Sequence, residues 1–237
     1  MRPENGRGKD DDNVKTFKLH LIRHGLTRGN LEGLYVGGGT DLPLCDEGRH
    51  DLEVFKSRFV YPAPDTVFTS PLARAVETAD LLFPAASHRL VVPQLREANF
   101  GVFEGRKMEE LVKDPEFARW MDPTPGFVPE GAEPTKEFHA RCADTLHKLL
   151  EYMIRSEVTE AACVTHGGVI MSMLAQSALP RRPAEQWMAD PGCGYTVQTD
   201  VQLWMRDRLV EAIDIVPFGY ADTLRGQAEA EENEAFE

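Results

Sequence analysis

Five side chains suited to phosphate chemistry follow four segments whose patterns indicate buried strands. Arg23 and His24 follow the first segment, and Arg74, Glu97 and His166 follow the later ones. Guanidinium groups present planar forks of donors that match phosphate oxygens, and their charge does not titrate away. Positive charge beside His24 would lower the proton affinity of its imidazole, which leaves a nitrogen free to attack phosphorus. A protonated Glu97 could give its proton to the departing oxygen, so the set predicts phosphoryl transfer without a metal.

The loops that carry these residues also contain groups that can approach an anion. Ser70 followed by Pro71 predicts a helix N-terminus whose amides are directed toward the site. Gly167 and Gly168 lack side chains, so their backbone could contact a phosphate closely. The three glycines at positions 37–39 could form a phosphate-facing loop, but we favour a flexible turn.

Alternating strand and helix patterns indicate how these loops meet. Predicted strands cover residues 17–22, 66–69, 90–92, 161–165, 197–205 and 209–216. Predicted helices cover residues 47–59, 71–82, 135–156 and 169–176. This alternation is typical of an α/β fold, expected here as a three-layer sandwich with a mainly parallel central sheet flanked by helices. Because sites in such sheets form at the carboxyl ends of strands, the five side chains should meet there.

The composition is that of a globular protein with an acidic balance. Of 237 residues, 42% are hydrophobic, and acidic residues outnumber basic ones by 39 to 26. This balance argues against binding to nucleic acid or to an anionic membrane surface. We expect a mobile N-terminal tail at 1–15, one domain at 16–225 and an acidic C-terminal tail at 226–237. Widely spaced cysteines and the lack of a signal-like or membrane-spanning run predict a reduced, cytoplasmic protein.

Four stretches carry a family resemblance. They are residues 21–30 (LIRHGLTRGN), 69–75 (TSPLARA), 95–105 (LREANFGVFEG) and 164–168 (VTHGG). In this order they resemble the signatures of the histidine phosphatase superfamily, in the branch that includes cofactor-dependent phosphoglycerate mutases. The resemblance implies a phosphoglycerate mutase-like fold, with His24 as the phosphohistidine nucleophile and Glu97 as the proton donor. It further implies that Arg23, Asn30, Arg74 and His166 bind the phosphoryl group, with neither a metal nor another cofactor.

Departures from the mutase pattern favour hydrolysis. Leu26 replaces the acidic residue that mutases usually carry after Arg-His-Gly, and residues 107–136 have mixed charge where a mutase needs a basic set for a second anion. Residues 100–105 (FGVFEG) look more like the alpha-ribazole phosphatase subgroup. We therefore expect a phosphatase for small-molecule phosphate esters, with alpha-ribazole 5′-phosphate as one candidate and sugar phosphates, nucleotides and glycolytic acids still open. The alternatives are a cofactor-dependent phosphoglycerate mutase and a non-catalytic phosphate-binding module, and the oligomeric state is open.

Two cysteine-containing features have simpler interpretations. His139 and Cys142 have the spacing of metal ligands on one helix, but no second pair completes a zinc site. Cys45 stands where the family often has a Ser or Thr that caps a helix, so we expect a structural role for it.

Overall fold

The computed structural model describes residues 14–122 and 126–221. Most of the predicted N-terminal tail (1–15) and all of the predicted acidic tail (226–237) lie outside these residues. The strands are β1 (Thr16–Arg23), β2 (Thr66–Thr69), β3 (His88–Val91), β4 (Glu160–Thr165), β5 (Ala178–Leu179), β6 (Gly194–Asp200) and β7 (Val210–Val216). The α-helices are α1 (Arg28–Leu31), α2 (Asp46–Arg58), α3 (Ala73–Leu82), α4 (Met108–Leu111), α5 (Pro115–Met121), α6 (Thr135–Arg155), α7 (Gly167–Ser177) and α8 (Val201–Asp207). Among these helices, none combines the length and apolar character needed to cross a bilayer.

The strands of the described residues form one sheet in the order β3-β2-β4-β1-β6-β7-β5. Four of the neighbouring pairs are parallel, and β6 is antiparallel to both β1 and β7. Val164 pairs with Ile22 on one side and with Thr69 on the other. The carboxyl ends of β1, β2 and β4 therefore lie side by side, and the predicted α/β class with a mainly parallel sheet is confirmed.

Side chains that alternate along the central strands pack against helices on both faces of the sheet. Leu19 and Leu21 of β1 belong to a buried cluster with α6 and α7, whereas Ile22 belongs to a cluster with α2 and α3. The buried residues of α6 recur mostly every three or four positions, which gives the helix an apolar stripe: Phe138, Cys142, Thr145, Leu146, Leu149, Leu150 and Met153. The predicted three layers are therefore observed.

The strand predicted at 197–205 is wrong in its second half. β6 ends at Asp200, whose carboxylate accepts hydrogen bonds from the amides of Gln202 and Leu203 at 2.7 and 2.8 Å. This capping starts α8, and the helix buries Trp204. Short apolar runs fit a strand or a helix equally well, and here the capping aspartate decides.

The predicted start of α3 at Pro71 is also wrong. Leu72 is the N-cap, and the Ser70 hydroxyl oxygen accepts only a 3.3 Å bond from the Leu72 amide. The Ser70 amide continues the sheet by donating to the Val164 carbonyl, and the Ala73 amide donates to Asp41. These amides are already bonded, so they are not the anion-binding groups that the sequence suggested.

The four cysteines are free thiols. Burial raises the pKa of the Cys142 and Cys193 thiols to about 12, so both remain protonated and unreactive at neutral pH. Cys45 is the N-cap of α2, and its Sγ accepts a hydrogen bond from the Gly48 amide at 3.3 Å. The structural role expected for Cys45 is therefore confirmed.

Candidate active site

The shared carboxyl edge of β1, β2 and β4 brings the predicted side chains together. His24 directly follows β1 and His166 directly follows β4, and the centroids of their rings are 5.1 Å apart. Arg74 Nε lies 3.2 Å from His24 Nε2. Arg23, His24, Arg74 and Glu97 line one cavity. The five side chains thus converge, while their individual roles stay predictions.

His24 is held as a neutral imidazole with Nε2 available. Its Nδ1 lies 2.7 Å from the Gly25 carbonyl oxygen, which can only accept, so Nδ1 carries the proton. Burial, assisted by the charge of Arg74, lowers the pKa of His24 to about 3. Nε2 is therefore unprotonated at neutral pH, and it accepts the hydrogen bond from Arg74 Nε–H. The sequence attributed this low pKa to the arginines, but burial is the larger cause.

Two arginines bring positive charge to the site without carboxylate partners. Arg74 is 1% exposed, and its terminal nitrogens donate to the carbonyls of Thr40 and Gly37, both at 3.0 Å. Arg23 donates to the Ala189 carbonyl at 2.8 Å, and its buried Nε has no partner among the described residues. The ion pairs of the described arginines involve other residues. Since an uncompensated buried charge is unfavourable, the pair favours a bound anion.

The hydrogen bonds of His166 also favour a bound anion. Its Nε2 lies 2.7 Å from the Ser70 hydroxyl, and its buried Nδ1 has no partner within the described residues. If Ser70 donates to Nε2, Nδ1 carries the proton and is a free donor. Burial, with smaller contributions from His24 and the arginines, lowers the pKa of His166 well below its ordinary value. Because buried donors normally find acceptors, His166 Nδ1 and Arg23 Nε mark two positions for anionic oxygens.

Glu97 is a buried carboxyl group anchored by backbone amides. Its Oε1 accepts from the Ala98 amide and its Oε2 from the Gly168 amide, both at 2.9 Å. Burial raises the pKa of Glu97 and outweighs the opposing effects of these amides and of Arg74. A phosphate dianion bound nearby would also raise this pKa. Burial adds a cause that acts before phosphate binds, and both favour the protonated form that a proton donor needs.

A methyl group at position 168 is expected to displace the Glu97 carboxyl group. A Cβ on Gly168 would lie 2.6 Å from Glu97 Oε1, closer than van der Waals contact allows. We expect Gly168→Ala to lower kcat/KM by about tenfold to 10²-fold, as small misplacements of a reacting group do. The melting temperature is measured in parallel, and Glu53→Ala, on the exposed side of α2, is the control. Wild-type kcat/KM in Gly168→Ala would contradict the prediction.

Asn30 and Gly167, the other predicted phosphate contacts, line the same cavity. Asn30 Oδ1 accepts from the Thr27 amide and hydroxyl at 3.0 and 2.9 Å, which leaves the Asn30 amide nitrogen to donate to a ligand. Gly167 is the first residue of α7, where amides and the helix dipole attract anions. Their roles in phosphate binding stay predictions.

The glycines at 37–39 form a packed loop, not the flexible turn that the sequence favoured. A Cβ on Gly37 would lie 2.3 Å from the Ala98 carbonyl, and one on Gly38 would lie 2.3 Å from the Glu97 carbonyl. The Gly38 amide also donates to the Ala98 carbonyl at 2.7 Å. The loop therefore lies directly against the backbone that carries Glu97, and its Gly37 carbonyl binds Arg74.

Glu104 fixes this loop, and the sequence assigned it no role. Its carboxylate accepts from the amides of Gly37, Gly39 and Phe100 and from the hydroxyl of Thr40, at 2.8 to 3.0 Å. The carbonyls of Gly37 and Thr40 are the same ones that bind Arg74. Glu104 stands in the stretch at 95–105 that carries the resemblance, so a signal was present, but only the fold shows what the carboxylate binds.

Glu104→Gln is expected to lower activity by loosening the loop that holds Arg74. The amide side chain has one accepting oxygen and no charge, whereas hydrogen bonds to a charged group contribute about 1.5–3 kcal/mol. We expect kcat/KM to fall about tenfold or more, with the melting temperature measured in parallel. Glu110→Gln, a change on the exposed side of α4, is the matched control and should behave as wild type. A lower melting temperature with unchanged kcat and KM would show a purely structural role.

The described residues contain no group of three or more His, Cys, Asp or Glu side chains that could hold a metal ion. His139 and Cys142 both lie on α6, as predicted. His139 Nδ1 lies 2.8 Å from the Ser172 hydroxyl, and Cys142 is buried in the core between α6 and α7. Their spacing thus reflects packing of one helix on another.

Comparison with known proteins places this arrangement in a family. Residues 19–209 match the family model for the histidine phosphatase superfamily (branch 1). The chain is 31% identical over 171 residues to Fructose-2,6-bisphosphatase TIGAR B of Danio rerio. The matched segment is 70% of this chain and 62% of that protein, so it spans less than two thirds of the relative's length. It is 27% identical over 181 residues to Adenosylcobalamin/alpha-ribazole phosphatase of Escherichia coli (strain K12), with 75% and 87% covered. The crystal structure of the alpha-ribazole phosphatase from Shigella flexneri has a TM-score of 0.67 and 26% identity, covering 85% of this chain and 96% of that one.

Proposed function

The chain belongs to the histidine phosphatase superfamily, and from this premise we propose that it hydrolyses small-molecule phosphomonoesters through a phosphohistidine on His24. One observation carries the proposal. His24 Nε2 is unprotonated and accepts a hydrogen bond from the buried Arg74, and the Gly25 carbonyl fixes the other ring nitrogen. The ring of a second histidine, His166, lies 5.1 Å from the His24 ring. A neutral imidazole fixed in this way can attack phosphorus, and the unpaired donors around it can bind the phosphoryl oxygens.

In the first step, Arg74 Nε–H exchanges its bond with His24 Nε2 for one with a phosphoryl oxygen, which frees the lone pair of Nε2. Nε2 then forms a bond to phosphorus as the bond from phosphorus to the ester oxygen breaks. Glu97 gives its proton to the departing alcohol oxygen, so a neutral alcohol leaves. The phosphoryl oxygens receive hydrogen bonds from Arg23, Arg74 and His166, and from Asn30. These donors are in place before reaction, so little reorganisation accompanies the development of charge.

In the second step, water attacks phosphorus and the bond to His24 Nε2 breaks. The Glu97 carboxylate takes a proton from the attacking water, which restores the protonated acid. Inorganic phosphate then leaves, and the imidazole returns to its neutral form. Over the two steps, one ester and one water are consumed, and one alcohol and one inorganic phosphate are formed.

For the substrate, we propose alpha-ribazole 5′-phosphate as the first compound to test. The support is the likeness to Adenosylcobalamin/alpha-ribazole phosphatase, whose length this chain covers almost fully, and to the Shigella flexneri structure. The zebrafish relative suggests a bisphosphorylated sugar instead, but this chain covers less of that protein. A phosphoglycerate mutase and a non-catalytic binding module stay the alternatives.

The test is release of phosphate from p-nitrophenyl phosphate and alpha-ribazole 5′-phosphate, with and without EDTA. We expect hydrolysis that EDTA leaves unchanged. A parallel incubation with 3-phosphoglycerate and 2,3-bisphosphoglycerate should give no 2-phosphoglycerate. Efficient isomerisation would favour the mutase, and no reaction with any ester would favour the binding module.

The pH dependence of the reaction follows from His24, which must be unprotonated, and Glu97, which must be protonated. The reaction needs neutral His24, whose pKa of about 3 keeps it neutral at all higher pH values. It also needs protonated Glu97, whose pKa burial raises, so activity is lost as the pH rises through that value. We expect kcat/KM to decline on the alkaline side, and the decline in kcat to be shifted to higher pH because bound phosphate favours the protonated acid. An alkaline limb that survives in Glu97→Gln would contradict this assignment.

A further inference from the structure

The part of the cavity beyond the phosphate-binding residues indicates which phosphomonoesters fit. We propose that the substrate carries a single phosphoryl group on a bulky, largely apolar alcohol and has no second anionic group. This inference rests on the proposed function for the position of the phosphoryl group. The residues that support it lie in the cavity wall and rim, where the alcohol part of the ligand would bind.

The cavity is large and has an aromatic wall. Its volume is about 1530 Å³, above the roughly 300–1,000 Å³ of sites for drug-sized ligands. The rings of Tyr35 and Phe100 are stacked with centroids 4.0 Å apart, and the Trp120 ring lies edge-on at 5.6 Å from Phe100. These rings support one another, so the wall is present before a ligand binds. A small phosphorylated acid would leave most of this space unfilled.

Exposed apolar side chains surround the same cavity. Met108, Met121, Val128 and Met188 line it and are 38 to 63% exposed. Large apolar side chains grouped around one opening are typical of a ligand-binding surface, and methionine adapts to irregular apolar shapes. The rim therefore favours contact with an apolar body, which would remove these side chains from water.

The charges on the wall oppose a second anion. Beyond the phosphate-binding residues, the described charged residues of the lining are Lys136 and the acids Asp122, Glu133 and Glu185. Glu133 is neutralised by Arg141, which bonds both of its carboxylate oxygens at 2.7 and 2.8 Å. The remaining Arg141 nitrogen donates to two backbone carbonyls. Lys136 and Glu185 carry opposite charges that sum to zero, so the described lining has no net positive charge beyond the phosphate-binding residues. Tight binding of a second phosphate needs several donors of positive charge.

Binding of phosphonates, which cannot be hydrolysed, tests the inference separately from catalysis. The probes are ethylphosphonate, hexylphosphonate and hexane-1,6-diyl bisphosphonate, measured by isothermal titration calorimetry. Each fully buried methylene strengthens binding up to about fourfold, so hexylphosphonate should bind at least about tenfold more tightly than ethylphosphonate. The bisphosphonate should bind at least about tenfold more weakly than hexylphosphonate, because its second anion meets the acidic wall.

Two variants with matched controls locate the effect in the cavity. Trp120→Ala should reduce the preference for hexylphosphonate over ethylphosphonate, whereas Tyr152→Ala, on a distant part of α6, should keep it. Glu185→Lys should strengthen bisphosphonate binding relative to hexylphosphonate by about tenfold. Glu53→Lys, the same charge change on the exposed side of α2, should not.

The outcomes separate the inference from the proposed function. Equal affinity for the ethyl and hexyl probes, or tighter binding of the bisphosphonate, would overturn the inference whatever the catalytic result. Failure to hydrolyse p-nitrophenyl phosphate would overturn the proposed function and would leave the phosphonate preferences as the test of the cavity.

Discussion

Replacement of His24 by alanine is expected to abolish turnover, with a loss of about 10⁴-fold or more. Loss of a nucleophile from a site that works as a unit has effects of this size, because the alternative is direct attack by an unactivated water. His24 is 6% exposed, and its Nε2 bonds Arg74 Nε. The alanine variant therefore loses the nitrogen that we propose to attack phosphorus. The measurement is steady-state phosphate release from p-nitrophenyl phosphate.

Trapping of the intermediate gives the same prediction a second readout. After rapid mixing with a ³²P-labelled monoester and quenching in alkali, where phosphohistidine persists, wild-type protein should retain label. His24→Ala should retain none, whereas the exposed His50→Ala on α2 should behave as wild type. Label on His24→Ala, or wild-type turnover by that variant, would overturn the assignment of His24 as the nucleophile. Circular dichroism of both variants would establish that each is folded.

The sequence predicted the site well where chemistry and topology coincide. His24 and His166 each come directly after a central parallel strand, and that rule alone predicts that they meet. The rule could not predict which neighbouring residues hold these site side chains in position. The bond from His166 to Ser70 and the hold of the 37–40 loop on Arg74 join residues 34 or more positions apart. Such contacts depend on how loops pack, which no local pattern encodes.

The errors in the predicted secondary structure have a similar origin. Residues 197–205 are apolar enough for a strand, yet the Asp200 carboxylate caps a helix that buries Trp204. At Ser70, the rule for a capping serine followed by proline competes with sheet pairing, and the sheet prevails because Ser70 still bonds Val164. The helix cap has two hydrogen bonds to Asp200 and the sheet pairing has one from the Ser70 amide, and neither is encoded by the apolar pattern of the sequence. Glu104 was missed for a different reason, since a carboxylate that binds backbone amides and one hydroxyl resembles a surface residue in the sequence.

Buried charge makes this site depend on its ligand. Arg23 and Arg74 are held by carbonyl oxygens, and burial lowers the pKa of both guanidinium groups. The neighbouring histidines are neutral for the same reason. In the proposed reaction, a phosphoryl dianion enters a region with positive charge, free donors and a protonated acid, where attraction is weakly screened. The features that we propose to bind the anion are thus the ones that cost stability without it.

Replacement of Glu97 by glutamine is expected to impair hydrolysis in proportion to how much the leaving group needs a proton. Alkyl phosphates such as hexyl phosphate release a strongly basic alkoxide, so loss of the acid should lower kcat/KM by about 10²–10⁴-fold. p-Nitrophenolate leaves readily as an anion, so for p-nitrophenyl phosphate the loss should be about tenfold or less. kcat/KM is the parameter to compare, because it reports the formation of the phosphoenzyme and not its hydrolysis.

The glutamine keeps the size of the side chain and one oxygen to accept from the Ala98 or the Gly168 amide, while the other amide loses its acceptor. The melting temperature is therefore measured beside activity. Glu53→Gln, exposed on α2, is the control and should leave both substrates unaffected. If Glu97→Gln lowers kcat/KM equally for both esters, Glu97 positions other groups and is not the acid. Because burial already biases Glu97 toward its protonated form, only a dependence on the leaving group separates the transfer of that proton from the mere presence of the side chain.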